Sequence, residues 1–249
     1  MTPLRAGLVI LILILAAAAN SAWAGGLEDA ERAYRAGDYA AARQLYAVLA
    51  EEGDSHAETN LGLMYANGAG GATDLAGAAA LYRKAALQGN RVAEYNLGDL
   101  LARGQGVAQD EAEAASWYRK SAEQGVGEAQ VNLGQFYAAG RGVAQDEDEA
   151  MKWYRLAAEQ GLGVAQYNLG DLYENRTKHA AGDDILAVKW CRLAVTQQVA
   201  RPNAFRPPAT SADTRTKAAA CLRTVEARMT PDQIAEGEQQ ATTWQPAGP

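Results

Sequence analysis

The tripeptide Asn-Leu-Gly occurs four times in this 249-residue chain, and each copy begins 36 residues after the one before it. A fixed period of about 20 to 50 residues is typical of repeat proteins, in which each short unit buries its apolar side only against its neighbours. The spacing therefore predicts a stacked solenoid rather than one globular core. Such a fold favours an extended binding surface over a deep catalytic pocket. The four copies start at Asn60, Asn96, Asn132 and Asn168.

Residues 1–24 have the three parts of a bacterial secretory signal. Arg5 supplies a positive charge, an apolar stretch runs from Gly7 to Ala19, and Ala22-Trp23-Ala24 places small residues where a signal peptidase cleaves. The apolar stretch is shorter than the roughly 20 residues that a transmembrane helix needs, so we expect cleavage rather than a retained anchor. The mature protein is then periplasmic or secreted, exported by a Sec-type pathway, with no membrane span.

The charge and the motifs narrow the function further. The chain has a net charge of −7 and no basic run, which argues against nucleic acid as a partner. We find no zinc-binding spacing, phosphate-binding loop or nucleophile elbow. Gly104-Gln105-Gly106 resembles part of a nucleotide loop but joins two predicted helices, and the acidic run 146–149 could hold calcium but suits a first helical turn. We therefore expect no metal, no cofactor and no enzymatic activity.

Each repeat is predicted to be a pair of helices. In the unit from Arg91 to Gly125, apolar residues recur at helical spacing on both sides of a glycine-rich turn. Asp110 and Glu113 form a capping-box pattern at the start of the second helix, and Gly125 ends it. A glycine recurs inside every first helix, where it weakens the helix, so we expect a neighbouring helix to pass close to its backbone. Equivalent capping aspartates stand at Asp38, Asp74, Asp110, Asp146 and Asp183.

These patterns resemble a known family. Ala-x-x-Asn-Leu-Gly-x-x-Tyr, Gly-x-Gly-Val-x-x-Asp and Trp-Tyr-Arg-x-Ala-Ala-x-Gln-Gly are similar to Sel1-like repeats, which are relatives of the tetratricopeptide family. The resemblance covers residues 26–198 and is strongest in the unit that starts at Gly127. It implies an all-α, right-handed superhelical solenoid of about five stacked antiparallel helical hairpins that acts as a scaffold or adaptor. Residues 27–53 are closer to a plain tetratricopeptide hairpin, and Leu101 replaces the usual tyrosine of its unit.

Residues 199–249 are predicted to close the solenoid. A proline-rich loop is followed by a helix from Ser211 to Arg228, by a second helix that starts at Thr230-Pro231, and by a short disordered tail. The only two cysteines, Cys191 and Cys221, lie on predicted helices. Because export leads to an oxidising compartment, we expect them to form a disulfide that ties the cap to the last repeat. The alternative is two buried thiols that pack as small apolar side chains.

Positions that vary between repeats are the candidate partner-binding residues. The resemblance places the first helices on the concave face, where the variable positions next to each Asn-Leu-Gly would form the floor. The repeated asparagines and glycines are instead assigned to structure, with each asparagine bonding the backbone of an adjacent hairpin; the alternative is that the asparagines line a peptide groove. The binding candidates are Thr59, Leu63, Tyr95, Asp99, Val131, Gln135, Tyr167 and Asp171, and the structural positions are Asn60, Gly62, Asn96, Gly98, Asn132, Gly134, Asn168 and Gly170.

The function that this sequence favours is a non-catalytic exported scaffold in the bacterial cell envelope, binding a protein or peptide and acting as a monomer. An envelope polymer is a second class of partner, and a polysaccharide-export scaffold or a purely structural spacer remain alternatives. A further alternative is a secreted Sel1-like hydrolase of the kind labelled β-lactamase. Those relatives place a cysteine pair in every repeat, whereas this chain has two cysteines in all.

Overall fold

The computed structural model describes residues 25–176, 180, 182–196 and 212–246, and every regular element within them is a helix. The predicted signal 1–24, the proline-rich segment 197–211, His179 and the last three residues lie outside the described residues. The helices are α1 (25–35), α2 (Tyr39–Glu51), α3 (Ser55–Asn67), α4 (Leu75–Leu87), α5 (Arg91–Arg103), α6 (Glu111–Glu123), α7 (Gly127–Ala139), α8 (Glu147–Glu159), α9 (Gly163–Asn175), α10 (Asp183–Thr196), α11 (Ala212–Glu226) and α12 (Pro231–Thr243).

Two compact units make up the chain, and they divide between Asp110 and Glu111. In the first unit α2 packs against α3, α3 against α4 and α4 against α5. In the second unit the same pattern runs from α6 to α10, and both α11 and α12 pack against α10. The hairpins predicted from the 36-residue period are therefore present within each unit, and the all-α fold class is confirmed.

Aspartate side chains fix where several second helices begin. The Asp38 carboxylate accepts a hydrogen bond from the Ala41 amide at 3.0 Å, and Asp74 and Asp146 cap α4 and α8 in the same way. Such caps satisfy backbone amides that have no partner inside the helix. Asp183 differs from this pattern, because it is the first residue of α10 and its carboxylate accepts from the amide of Ala180 at 2.6 Å.

The glycine-rich turns of the repeats are packing elements. Gly142 lies at φ 63°, and a Cβ there would collide with the backbone of Glu111 at the start of α6. The adjacent Arg141 forms an ion pair with the Glu111 carboxylate, with a separation of 2.6 Å. Because the backbone approaches this closely, only glycine fits the second position of Gly-x-Gly. This explains the pattern without a bound nucleotide, as the sequence interpretation held.

Candidate partner-binding face

The Leu-Gly part of the repeated tripeptide is buried and holds the hairpins together. The four leucines are at most 4% exposed. A Cβ added to Gly134 on α7 would lie 2.6 Å from Cε1 of Tyr154 on α8, and one added to Gly62 would lie 2.7 Å from Cε1 of Tyr82. In these two hairpins the tyrosine ring of the second helix thus lies on the glycine of the first helix. The close approach that the sequence predicted is present in both hairpins.

The asparagine of the tripeptide bonds a tyrosine from the preceding hairpin. The Asn168 side chain hydrogen-bonds to the Tyr154 hydroxyl, and Asn60 does the same to Tyr46. Burial raises the pKa of Tyr46 to about 12, and the hydrogen bond from Asn60 acts in the opposite direction. The sequence interpretation placed these asparagines in the structure but expected a backbone partner. The side-chain partner arises because the tyrosine ring passes over one first helix and its hydroxyl reaches the next.

The variable positions before each asparagine are mostly inaccessible. Thr59 and Tyr95 are 4% and 7% exposed, and Val131 is also buried. The Thr59 hydroxyl donates to the carbonyl oxygen of Ser55 at 2.6 Å within its own helix. These side chains do not offer the contact area expected of a binding floor, since they lie on a side of the first helix that packs against neighbouring helices. Tyr167, the equivalent residue of α9, is only half-buried.

The variable positions after the asparagine are more open. Gln135 is exposed, whereas Leu63, Asp99 and Asp171 are half-buried. Asp99 on α5 forms an ion pair with Arg103 one turn later, at 3.1 Å. Asp171 occupies the same repeat position on α9, but Asn175 stands where the arginine would be. Among the described residues, no basic side chain forms an ion pair with Asp171.

Asp171 is instead bonded by neutral groups on its own helix. The Tyr167 hydroxyl donates to Asp171 Oδ1 at 3.4 Å, and Asn175 Nδ2 lies 3.5 Å from the same oxygen. Burial raises the pKa of the Asp171 carboxyl, while the bond from Tyr167 acts in the opposite direction. A partly desolvated carboxylate without a cation costs stability, which makes it a candidate for function.

Glu174 extends this group and was not identified from the sequence. Tyr167, Asp171 and Glu174 are spaced i, i+4, i+7, so they share one face of α9, called here the α9 stripe. Burial and the Asp171 carboxylate raise the pKa of Glu174, whereas Arg228 and a hydrogen bond with Thr224 of α11 lower it. The helical spacing from Tyr167 could have found Glu174. The contribution of α11 could not be anticipated, because it depends on how the C-terminal helices fold back.

The two cysteines are joined in the structure. The sulfur atoms of Cys191 on α10 and Cys221 on α11 are 2.11 Å apart, and both residues are buried. Cys191 lies over Gly170, as the tyrosines of earlier repeats lie over their glycines.

Metal-binding geometry is absent from the part of the chain that the structure describes, where no group of three or more His, Cys, Asp or Glu is placed to hold an ion. His56 is exposed at the start of α3. None of the helices in that same part is both long and apolar enough to cross a membrane.

The repeat pattern defines the class of protein. Sequence comparison finds four consecutive Sel1 repeats, at residues 55–90, 91–126, 127–162 and 163–199, which is more than half of the chain. The protein therefore belongs to the Sel1 repeat family. Proteins of this family generally mediate protein–protein interaction and are typically non-catalytic scaffolds. No curated protein matches the chain at a significant level of sequence similarity.

Solved structures agree on the fold. A Sel1 repeat protein from Oxalobacter formigenes is similar with a TM-score of 0.69 and 24% identity, over 88% of this chain and 85% of that one. The protein c5321, a protective antigen of uropathogenic Escherichia coli strains with an SLR fold, has a TM-score of 0.54 and 29% identity. That comparison covers 89% of this chain but only 53% of c5321, so the chain spans about half the length of the Escherichia coli protein.

Proposed function

We propose that this chain is a non-catalytic scaffold, exported to the bacterial cell envelope, that binds a protein or peptide through the first helices of its repeats. Membership of the Sel1 repeat family supports the interaction role. Export is supported by the signal pattern of residues 1–24 and by a disulfide, which persists in oxidising compartments. The polar outer surface of α12, which buries only Gly237 and Ala241, suits a monomer with a closed C-terminal end.

The α9 stripe is the proposed binding site, and Asp171 is the observation that carries the proposal. Its counterpart Asp99 has an intramolecular arginine, whereas Asp171 is partly buried with only neutral donors. A lysine or arginine from a partner would supply the missing charge in a partly dehydrated setting, where an ion pair is stronger than in water. Tyr167 beside it offers aromatic contact area at low cost in side-chain entropy. Gln135, at the equivalent position of α7, is an exposed residue for further polar contact.

Crosslinking in cells followed by affinity purification tests this proposal. Asp171→Asn keeps an oxygen that can accept the Tyr167 hydrogen bond but removes the charge. We expect it to reduce recovery of the partner about tenfold or more, as loss of one buried charge-assisted contact does. Tyr167→Phe should reduce recovery less, because the ring remains.

Asp232→Asn is the matched control. It removes the same charge from an exposed position in the first turn of α12, and it should leave recovery unchanged. Equal recovery with Asp171→Asn and Asp232→Asn would place the binding site elsewhere. Recovery of a polysaccharide instead of a protein would show that the proposed class of partner is wrong.

A further inference from the structure

The last hairpin differs from the others in how it is joined to the helix that follows. In the α7–α8 hairpin Tyr154 of the second helix lies on Gly134 and hydrogen-bonds Asn168 of the next first helix. In α10 that tyrosine is replaced by Cys191, which lies on Gly170. The bond to the next helix is then the disulfide to Cys221 of α11. A covalent bond has thus taken the place of a hydrogen bond at this one junction.

Apart from the disulfide, helices α11 and α12, called here the cap, are held by non-covalent contacts to α9 and α10. Apart from Cys221, the buried residues of α11 are Thr214, Ala218, Leu222 and Val225, and those of α12 are Gly237 and Ala241. Arg192 forms ion pairs with Glu226 and Glu238, but these groups are about a third exposed or more, and such pairs contribute little. Fifteen residues, 197–211, also separate α10 from α11, compared with three between α2 and α3.

The cap also contributes to the surroundings of the α9 stripe. Helix α11 packs directly against α9 as well as α10. Thr224 hydrogen-bonds to Glu174, and the Arg228 guanidinium donates to the Glu174 carbonyl oxygen at 3.1 Å. At the other end of α11, Asp213 lies close enough to act electrostatically on Tyr167. Displacement of α11 would therefore change the surroundings of Tyr167 and Glu174, which flank Asp171 in the stripe.

We propose that the Cys191–Cys221 disulfide is a redox-sensitive lock that holds α11 against α9, so that the α9 stripe is complete only in the oxidised protein. The significance of the lock for partner binding rests on the function proposed above, but the lock itself does not. Before oxidation only non-covalent contacts hold the cap, and after oxidation a covalent bond fixes it as well. An exported chain would then acquire its binding face only where disulfides form.

The opening reaction is thiol–disulfide exchange with an external dithiol. One thiolate of the dithiol attacks a sulfur of the disulfide, the bond between Cys191 and Cys221 breaks, and the leaving sulfur takes a proton. The second thiolate of the reductant then resolves the mixed disulfide. Both cysteines end as thiols, and the dithiol is oxidised to its own disulfide. Because both cysteines are buried, attack requires prior local opening of the cap.

Hydrogen exchange of the oxidised mature chain, of the chain reduced with dithiothreitol, and of the Cys191→Ala/Cys221→Ala variant tests the lock. A disulfide that closes a loop of this length shifts an opening equilibrium by roughly a hundredfold. We therefore expect amides of α11 and α12 to exchange roughly a hundredfold faster without the disulfide. Exchange in α7 and α8 should be unchanged, which shows that the repeats remain folded.

Hydroxyl-radical labelling of Tyr167 tests whether the cap completes the α9 stripe. Labelling should rise severalfold in the double alanine variant, which needs no reductant, while Tyr137 on α7 serves as the unchanged reference. Exchange in the cap that is unaffected by loss of the disulfide would overturn the lock. Faster exchange with unchanged Tyr167 labelling would overturn its connection to the stripe. Neither readout uses a partner, so failure of the oxidised protein to capture one would count against the proposed function alone.

Discussion

The Tyr154 hydroxyl hydrogen-bonds to the Asn168 side chain and so joins α8 to the first helix of the following repeat. The same tyrosine ring lies on Gly134 of its own hairpin. One side chain therefore sets both the spacing inside a repeat and the spacing between repeats. The regular spacing of Asn-Leu-Gly along this chain is explained by this geometry, which leaves the leucine and the glycine no surface with which to bind a partner.

The hydrogen bond between Tyr154 and Asn168 should be measurable in a double-mutant cycle. Tyr154→Phe and Asn168→Ala should each lower the free energy of unfolding by about 1 kcal/mol, since each leaves a polar group without its partner. The double variant should cost less than the sum, with a coupling energy of about 0.5–1.5 kcal/mol. Urea unfolding followed by circular dichroism gives all four values. Strict additivity would show that the two side chains do not interact in solution.

Gly134→Ala should destabilise the protein although alanine favours helices. Alanine in a helix interior is ordinarily better than glycine by about 1 kcal/mol. Here the added Cβ would lie 2.6 Å from Tyr154 Cε1, so the buried ring must shift, at a net cost of about 1–3 kcal/mol. Thermal unfolding measures the change. Gly25→Ala, at the first position of α1, is a control for an uncrowded glycine, because a Cβ there meets nothing within 4 Å, and its stability should stay within about 0.5 kcal/mol of wild type.

Asp171→Asn should stabilise the fold at neutral pH. Burial raises the pKa of Asp171 in the folded chain. A carboxyl group with a higher pKa in the folded than in the unfolded state binds more protons when folded, so its contribution to stability falls as pH rises through the folded pKa. The variant should therefore be more stable than wild type at pH 7, and the difference should shrink as pH approaches the unfolded pKa, about 4.

Unfolding in urea at several pH values checks this dependence. A constant difference between the two proteins at every pH would assign the effect to packing rather than to ionisation. Gain of stability together with loss of partner recovery would identify Asp171 as a residue retained for binding, since function is the usual reason for keeping a costly group.

The protein recovered from the periplasm of an expressing bacterium should begin at Gly25 and contain no free thiol. Export removes residues 1–24 in this prediction, and oxidation joins Cys191 to Cys221. Intact mass spectrometry under non-reducing conditions, with and without an alkylating reagent, reports both features. Retention of Met1 or alkylation of either cysteine would contradict the exported, oxidised state.

The repeat pattern was sufficient to predict most of the fold. Helix pairs, capping aspartates and the close approach at the repeated glycines follow from local rules, because helical spacing and cap residues act over a few positions. The prediction was weaker for the site. Thr59 and Tyr95 vary between repeats, which suggested exposure, yet both are buried. Variation in sequence does not distinguish a surface residue from one that fills a differently shaped interior.

Several features became visible only in three dimensions. Glu58 is 3% exposed and accepts a hydrogen bond from Gln88, 30 residues away, at 2.8 Å. A glutamate on a helix is ordinarily exposed to solvent, so no local sequence pattern predicts that this pair is buried. The same holds for the contact of α11 with Glu174, which joins residues 50 positions apart.

The sequence by itself determined that this chain is a helical repeat protein with hairpins of a fixed length. These properties depend on the spacing of apolar, capping and glycine residues along the chain, which helix geometry translates directly into structure. Only the tertiary structure decided that Asp171 lacks the cation that Asp99 has, and that Cys191 packs on the backbone of Gly170 at the last junction. Burial and pairing arise from contacts between distant segments, and these contacts set the charge and the accessibility that a partner would meet.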